Sequence, residues 1–179
     1  MISEIINVGL IFGGKSSEYE VSVTSAQNIY AAIDKEKYSV YPMGFTKEGY
    51  LASPDESKKM LADKTYHAKH EGEVRNIDNL HEMKNYPEID VFFPIIHGNI
   101  GEDGALQGMM RVLDAPFVGS DVLGAAVTMD KDFSKILAEQ IPGVRVAKWI
   151  VIKRPQFEDQ VPELVDYDQV SAKLGKTLF

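Results

Sequence analysis

Residues 90–108 constrain the fold of this chain more than any other stretch, because they change character twice. Residues 91–96 (VFFPII) form a short apolar run with β-branched and aromatic members, the pattern of a buried strand. His97 and Gly98 follow, and then a turn-rich loop through Gly101, Glu102, Asp103 and Gly104. Beyond Asp103 the apolar residues fall at Leu106, Met109, Met110 and Leu113, which is helical spacing. A buried strand therefore ends in a loop carrying an imidazole and two carboxylates, and a helix starts at once. In an open α/β sheet, ligands bind outside the carboxyl ends of the strands. The helix start adds unpaired N–H groups and a positive dipole end there. That loop is the first place to expect function.

The rest of the chain fits an α/β architecture. Residues 5–12 (IINVGLIF) are almost continuously apolar, as in a central parallel strand buried on both faces. A tight loop from Gly13 and Gly14 to Glu20 leads to a helical stripe at Val21, Ala26, Ile29, Tyr30 and Ile33, with Ser16 or Ser17 as the expected N-cap. Residues 38–45 read as a second strand, which completes a βαβ unit. A short helix over 54–62, capped near Ser53, comes next. Residues 65–82 carry mixed charges and three of the four histidines, His67, His70 and His81. Their spacing has no metal-ligand pattern, so they are expected to be solvated loop residues. Past the central loop, the patterns predict a very short strand at 115–119, small-residue and amphipathic helices from about 121 and 131, and a strand over 146–152. A helical region at 158–174, interrupted near Pro162, and the start of a last strand at Thr177 follow. The Pro142–Gly143 break sets an expected domain boundary, with residues 1–142 as a first domain and 143–179 as the opening of a second. The apolar run that begins at residue 176 suggests a fragment of a longer protein.

Composition removes several function classes. A net charge of −8 disfavours a nucleic-acid or membrane-surface partner, since both select basic patches. The absence of cysteine rules out disulfides and cysteine-based zinc sites and fits a cytoplasmic location. No signal-peptide pattern and no membrane-length apolar run is present.

Taken alone, the candidate chemistry has plain alternatives. The Gly13–Gly14 loop lacks the G-x-G-x-x-G spacing of a dinucleotide site and the G-K-[ST] ending of a P-loop, so a tight turn accounts for it equally well. The missing fingerprint also disfavours a nicotinamide-dependent oxidoreductase. Glu18, in this loop, would repel a phosphate and suit an ammonium group, which favours a zwitterionic amino acid as guest. His97 is as readily a hydrogen-bonded structural residue as a ligand contact. As a donor it would suit a carboxylate, with Glu102 orienting it and Asp103 as a helix N-cap. Lys131, after Met129 and Asp130, is by itself an ordinary solvated lysine at a helix start.

Together the motifs are more specific. Residues 13–22 (GGKSSEYEVS), 93–108 (FPIIHGNIGEDGALQG), 118–120 (VGS) and 129–131 (MDK), in this order and spacing, closely resemble the D-alanine–D-alanine ligase family. The resemblance extends over essentially the whole chain, and the excursion over 46–82 is similar to the longer N-terminal domain of many bacterial members. It implies a Rossmann-like, mostly parallel sheet (the pre-ATP-grasp domain) followed by the start of an α+β ATP-grasp domain. It also implies a reaction. ATP phosphorylates the carboxylate of one D-alanine, the amine of a second attacks the acyl phosphate, and the dipeptide enters peptidoglycan. Carried over by position, Glu18 would bind the ammonium of the first D-alanine. His97 would lie near its carboxylate with Glu102 as partner, Val21, Ser22 and Gly98 would line the pocket, and Lys131 would reach toward the nucleotide. The family's ATP and Mg2+ are held mainly by later domains, so this chain alone is expected not to turn over. A homodimer through the first domain is also implied. The runner-up readings are a D-alanine–D-lactate or D-alanine–D-serine ligase, and a non-catalytic binding or dimerisation module.

Overall fold

In the computed structural model, which describes residues 5–68, 83–152 and 166–175, the strand with the longest apolar run takes the central place. Strand β1 (Ile6–Gly13) lies between β2 (Tyr38–Phe45) and β3 (Val91–Pro94), and both pairings are parallel. The register runs from Ile6 opposite Tyr38 to Gly13 opposite Phe45, and from Val8 opposite Val91 to Ile11 opposite Pro94. Pro42 and Pro94 occupy the flanking strands and β1 has no proline, as expected where proline removes a ladder donor.

Burial on both faces explains the apolar run. Leu10 and Phe12 point into one cluster with Tyr19, Val23 and Ala26 of α1 (Tyr19–Ala32) and Met60 and Leu61 of α2 (Pro54–Ala62). Ile11 points into the other, with Met43, Phe92 and Ile96 and with Leu106 and Met110 of α3 (Ala105–Val112). Fully burying each of these large side chains is worth about 1.5–3 kcal/mol. A 3₁₀ turn (Met83–Asn85) precedes β3, and α4 (Val122–Met129) closes the first unit, residues 1–129.

The second compact unit, residues 130–179, contains α5 (Lys131–Glu139) and α6 (Tyr167–Leu174) among its described residues. Pro142 and Gly143, the residues of the expected break, lie in a turn. Among the described residues, no helix is long and apolar enough to cross a membrane.

Several expectations are corrected. Residues 146–152 form no strand, because no described segment pairs with them. They carry no regular structure, and Trp149 Nε1 donates to Asp132 Oδ1 at 2.6 Å. The short strand over 115–119 is one bridge, Phe117 to Phe92. Pro116 has no N–H to extend a ladder, and the chain bends from Val118. Strand β3 ends at Pro94 rather than Ile96, since the Ile95 carbonyl accepts from the Ser22 hydroxyl at 2.6 Å. The N-cap of α1 is Glu18, not Ser16 or Ser17. His67 is exposed, its ring 5.9 Å from that of Tyr19. His70, His81, most of the region around Pro162 and the run from Thr177 lie outside the described residues.

Gly108 sits inside α3, and a Cβ built there meets nothing within 4 Å. Glycine in a helix interior costs roughly 0.5–1 kcal/mol relative to alanine. Gly108→Ala is therefore expected to stabilise the chain by about that amount, read as a higher denaturant midpoint at unchanged slope.

Candidate functional site

The strand order β2-β1-β3 creates a switch point. The chain leaves β1 toward one side to form β2 and returns to the other side to form β3. The loops after β1 and β3 therefore part from each other at the carboxyl edge, where open α/β sheets bind ligands. Two serine hydroxyls join the walls of this crevice. Ser22 is fully buried; it accepts from Gly13 N–H at 2.8 Å and donates to Ile95 C=O at 2.6 Å. Ser16 accepts from Glu18 N–H at 3.1 Å and donates to His97 C=O at 2.6 Å. The tight turn requires Gly13. Its φ is +84°, and a Cβ there would lie 2.3 Å from the Phe45 carbonyl oxygen.

The second wall is a self-bonded loop. Glu102 Oε2 accepts from Gly98 N–H at 2.8 Å, and Glu102 N–H donates to Gly98 C=O at 3.0 Å. Asp103 accepts from Ile100 N–H at 2.9 Å and from Ala105 N–H at 3.0 Å. The N-cap of α3 is Gly104, not Asp103, although the Asp103 carboxylate does satisfy a first-turn N–H. Ile100 has φ +73°, a left-handed conformation that a β-branched residue rarely adopts. Such strain costs on the order of 1–3 kcal/mol and is held here by the Asp103 carboxylate.

Four charged or polar side chains, His97, Glu102, Ser25 and Glu18, meet at the crevice. His97 Nδ1 lies 3.4 Å from Glu102 Oε1, and His97 Nε2 lies 3.0 Å from Ser25 Oγ. The Glu18 carboxylate reaches the same loop: an ideal Cβ on Gly98 would be 3.6 Å from Glu18 Oε1. Glu18 is exposed, and its carboxylate makes no hydrogen bond or ion pair among the described residues. It stands at the positive end of α1, where a negative charge is favoured. Its neighbour Glu20 is engaged: Lys47, with Nζ 2.6 Å from Oε1, holds that carboxyl below the usual carboxylate range. Beneath them Tyr19 is buried, which pushes its phenol up, with help from Glu20 and Glu48. An unpaired carboxylate beside an imidazole and an orienting carboxylate can take a small zwitterion, ammonium to Glu18 and carboxylate to His97.

Of the residues singled out in the sequence, Glu18, Ser22, His97, Gly98 and Glu102 come together. Val21 is half exposed on α1. Ser22 is engaged at both its donor and its acceptor in tying the strand ends. Lys131 is exposed at the first position of α5, in the second unit. Sequence reasoning missed Ser16 as a bridge and Ser25 as the partner of His97. The signal for Ser25 was available, since Glu18, Ser22 and Ser25 follow i, i+4, i+7 spacing along one helix face.

Among the described residues, no group of three or more His, Asp or Glu side chains has metal-site geometry. These described residues do not form a Mg2+ site. A groove of about 720 Å3 in the second unit is lined by Asp132, Lys148, Trp149 and Lys173 among others, and none of the predicted site residues lines it.

Comparison with known proteins gives the family of the chain. Residues 7–120 match the family model described as D-ala D-ala ligase N-terminus. A D-alanine–D-alanine ligase of Lactobacillus helveticus (strain DPC 4571) is 59% identical over 172 residues, covering 96% of this chain and 48% of that protein. The structure of D-alanine–D-alanine ligase from Bacillus anthracis complexed with ATP aligns with a TM-score of 0.61 at 26% identity, over 95% of this chain and 43% of that one. The VanG D-Ala:D-Ser ligase from Enterococcus faecalis aligns with a TM-score of 0.57 at 30% identity, over 76% of this chain and 42% of that one. The chain spans about half the length of the curated relatives it matches.

Proposed function

This chain belongs to the D-alanine–D-alanine ligase N-terminal family, and we propose from that premise that its crevice holds the first D-alanine of an ATP-dependent D-alanine–D-alanine ligation that supplies peptidoglycan synthesis in the cytoplasm. The observation that carries the reading is the unpaired Glu18 carboxylate facing the His97–Gly98 loop, with Glu102 behind the imidazole. Glu18 takes the ammonium. His97 lies against the carboxylate that is activated, and Glu102 orients the ring. Ser22 and Ser16 hold the two walls in register, and Gly98 leaves room between the imidazole loop and Glu18.

In this reading residues 143–179 open the ATP-grasp domain, and Lys131 reaches toward ATP. Mg2+ is recruited by other parts of the enzyme, so the chain alone binds D-alanine without turning it over. A second substrate of D-alanine is favoured by the named relatives at high identity. D-serine stands as the alternative because of the VanG likeness, and D-lactate would follow the same logic. Self-association through the first unit is supported by Val112 and Leu123, apolar and largely exposed on α3 and α4. Sedimentation is expected to show a dimer, and a monomer at every concentration would remove that part.

Titrating D-alanine into the 15N-labelled chain tests the central claim. Saturable amide shifts are expected at Ser16, Glu18, Gly98 and Glu102. Shifts absent from both loops at every accessible concentration would overturn the assignment.

A further inference from the structure

Several helix hydroxyls of this chain bond locally, whereas Ser22 and Ser57 reach other segments. Thr24 donates to the Glu20 carbonyl at 2.9 Å, Thr128 to Gly124, Ser134 to Lys131 and Ser171 to Asp168. Each spends its proton on a carbonyl three or four residues back, the usual local bond for such residues. Ser25, next to Thr24 in α1, makes no such bond. Its one hydrogen bond among the described residues crosses to the neighbouring loop, to His97 Nε2 at 3.0 Å. The ring is thereby faced at both nitrogens, by Ser25 at Nε2 and by Glu102 at Nδ1.

The donor chemistry decides the proton positions. An ionised carboxylate only accepts, so a favourable contact with Glu102 puts the proton on Nδ1. In the neutral ring Nε2 then carries the lone pair, and the Ser25 O–H must donate to it. The Nδ1 contact, at 3.4 Å, is long, so Ser25 supplies the closer of the two restraints. The ring is only partly buried, with 24% of its side chain exposed, so packing alone leaves it room to turn.

We propose that Ser25 is a positioning residue: its hydroxyl donates to His97 Nε2 and, with Glu102 at Nδ1, fixes the imidazole in one orientation and in the Nδ1–H tautomer. Sequence spacing places Glu18 and Ser25 on the same face of α1, so one rigid helix presents the ammonium-binding group and the group that orients the imidazole. The value of the device rests on the D-alanine reading, since it fixes the ring against which the carboxylate of the substrate lies.

Long-range 1H–15N correlation of the His97 ring, recorded at a pH where the ring is neutral, reads tautomer and hydrogen bonding directly in the intact chain. The unsubstituted chain is expected to show Nδ1–H with Nε2 as the acceptor. Ser25→Ala is expected to populate the second tautomer, which moves the averaged Nε2 resonance upfield and Nδ1 downfield. Ser25→Thr is expected to retain the original pattern. A purely structural serine would leave the ring resonances alone while the melting temperature changed. An Nε2–H tautomer in the unsubstituted chain overturns the proposal, whatever the variants do. So does a folded Ser25→Ala protein with an unshifted Nε2. A parallel D-alanine titration separates the two claims. No binding with the expected ring pattern refutes the function and leaves the positioning role, and binding with an unshifted Nε2 does the reverse.

Discussion

Gly101→Ala is expected to cost about 3 kcal/mol or more and to dismantle the His97 loop. A Cβ at this position would lie 1.9 Å from the Ile96 carbonyl oxygen and 2.5 Å from its carbon. Both are backbone atoms, so no side-chain rotation relieves the overlap. Relief requires the turn from Ile96 to Gly101 to open. That movement pulls Gly98 N–H away from Glu102 Oε2 and Gly101 C=O away from Gln107 Nε2, now 2.8 Å apart in the interior. Overpacking typically costs 1–3 kcal/mol, and breaking buried hydrogen bonds adds to it. Values this large come from a short list of mechanisms, of which a backbone clash with a severed network is one. Chemical denaturation checks it, with Gly108→Ala as the control of opposite sign. A Gly101→Ala protein within 0.5 kcal/mol of the parent would mean that the loop does not pack on Ile96 as described.

That glycine also shows what a sequence pattern carries and what it hides. The three parallel strands were visible because burial on both faces demands a continuous apolar run, and residues 5–12 and 91–96 supply one. The α2 boundaries were visible because Ser53 and Glu56 form a capping box, a local device that needs no tertiary contact. His97 and Glu102 could be paired from sequence because both lie on one short loop. Most hidden parts depend on contacts between distant segments. Nothing local shows that the Ser22 hydroxyl would take the Ile95 carbonyl and end β3 early, or that Ser16 would take the His97 carbonyl and move the α1 cap to Glu18. The strain at Ile100 is hidden for a different, local reason: isoleucine is a poor choice for φ +73°, and only the Asp103 carboxylate three residues on holds its N–H there. The strand pattern over 146–152 failed in the other direction. Its apolar run is real, but a strand exists only where a neighbour accepts its N–H groups, and its side-chain contacts include those of Trp149 with Asp132 and Lys135.

Glu18→Gln is expected to weaken D-alanine binding by roughly ten- to a hundred-fold while the fold stays intact. The amide keeps the shape of the carboxylate and loses its charge. A hydrogen bond to a charged group is worth about 1.5–3 kcal/mol, and 1.36 kcal/mol is tenfold in affinity. The stability effect should be smaller. Glu18 uses no side-chain oxygen to cap α1, so what is lost from the fold is its interaction with the helix dipole, about 0.3–1 kcal/mol. The hydroxyl bridges through Ser16 and Ser22 involve backbone groups and other side chains, so both crevice walls remain. The contrast with Glu20 sharpens the test. Glu20 lies two residues away and carries the same charge, but Lys47 already neutralises it. Glu20→Gln should therefore leave D-alanine affinity within about twofold, since a solvent-exposed pair is screened and contributes little even to its own partners. Calorimetric titration of the parent and the two variants decides between a specific and a diffuse electrostatic effect. Equal losses in both would mean that D-alanine responds to the net charge of the loop. A loss confined to Glu18→Gln means that the unpaired carboxylate is the ammonium site. No loss in either removes Glu18 from the site.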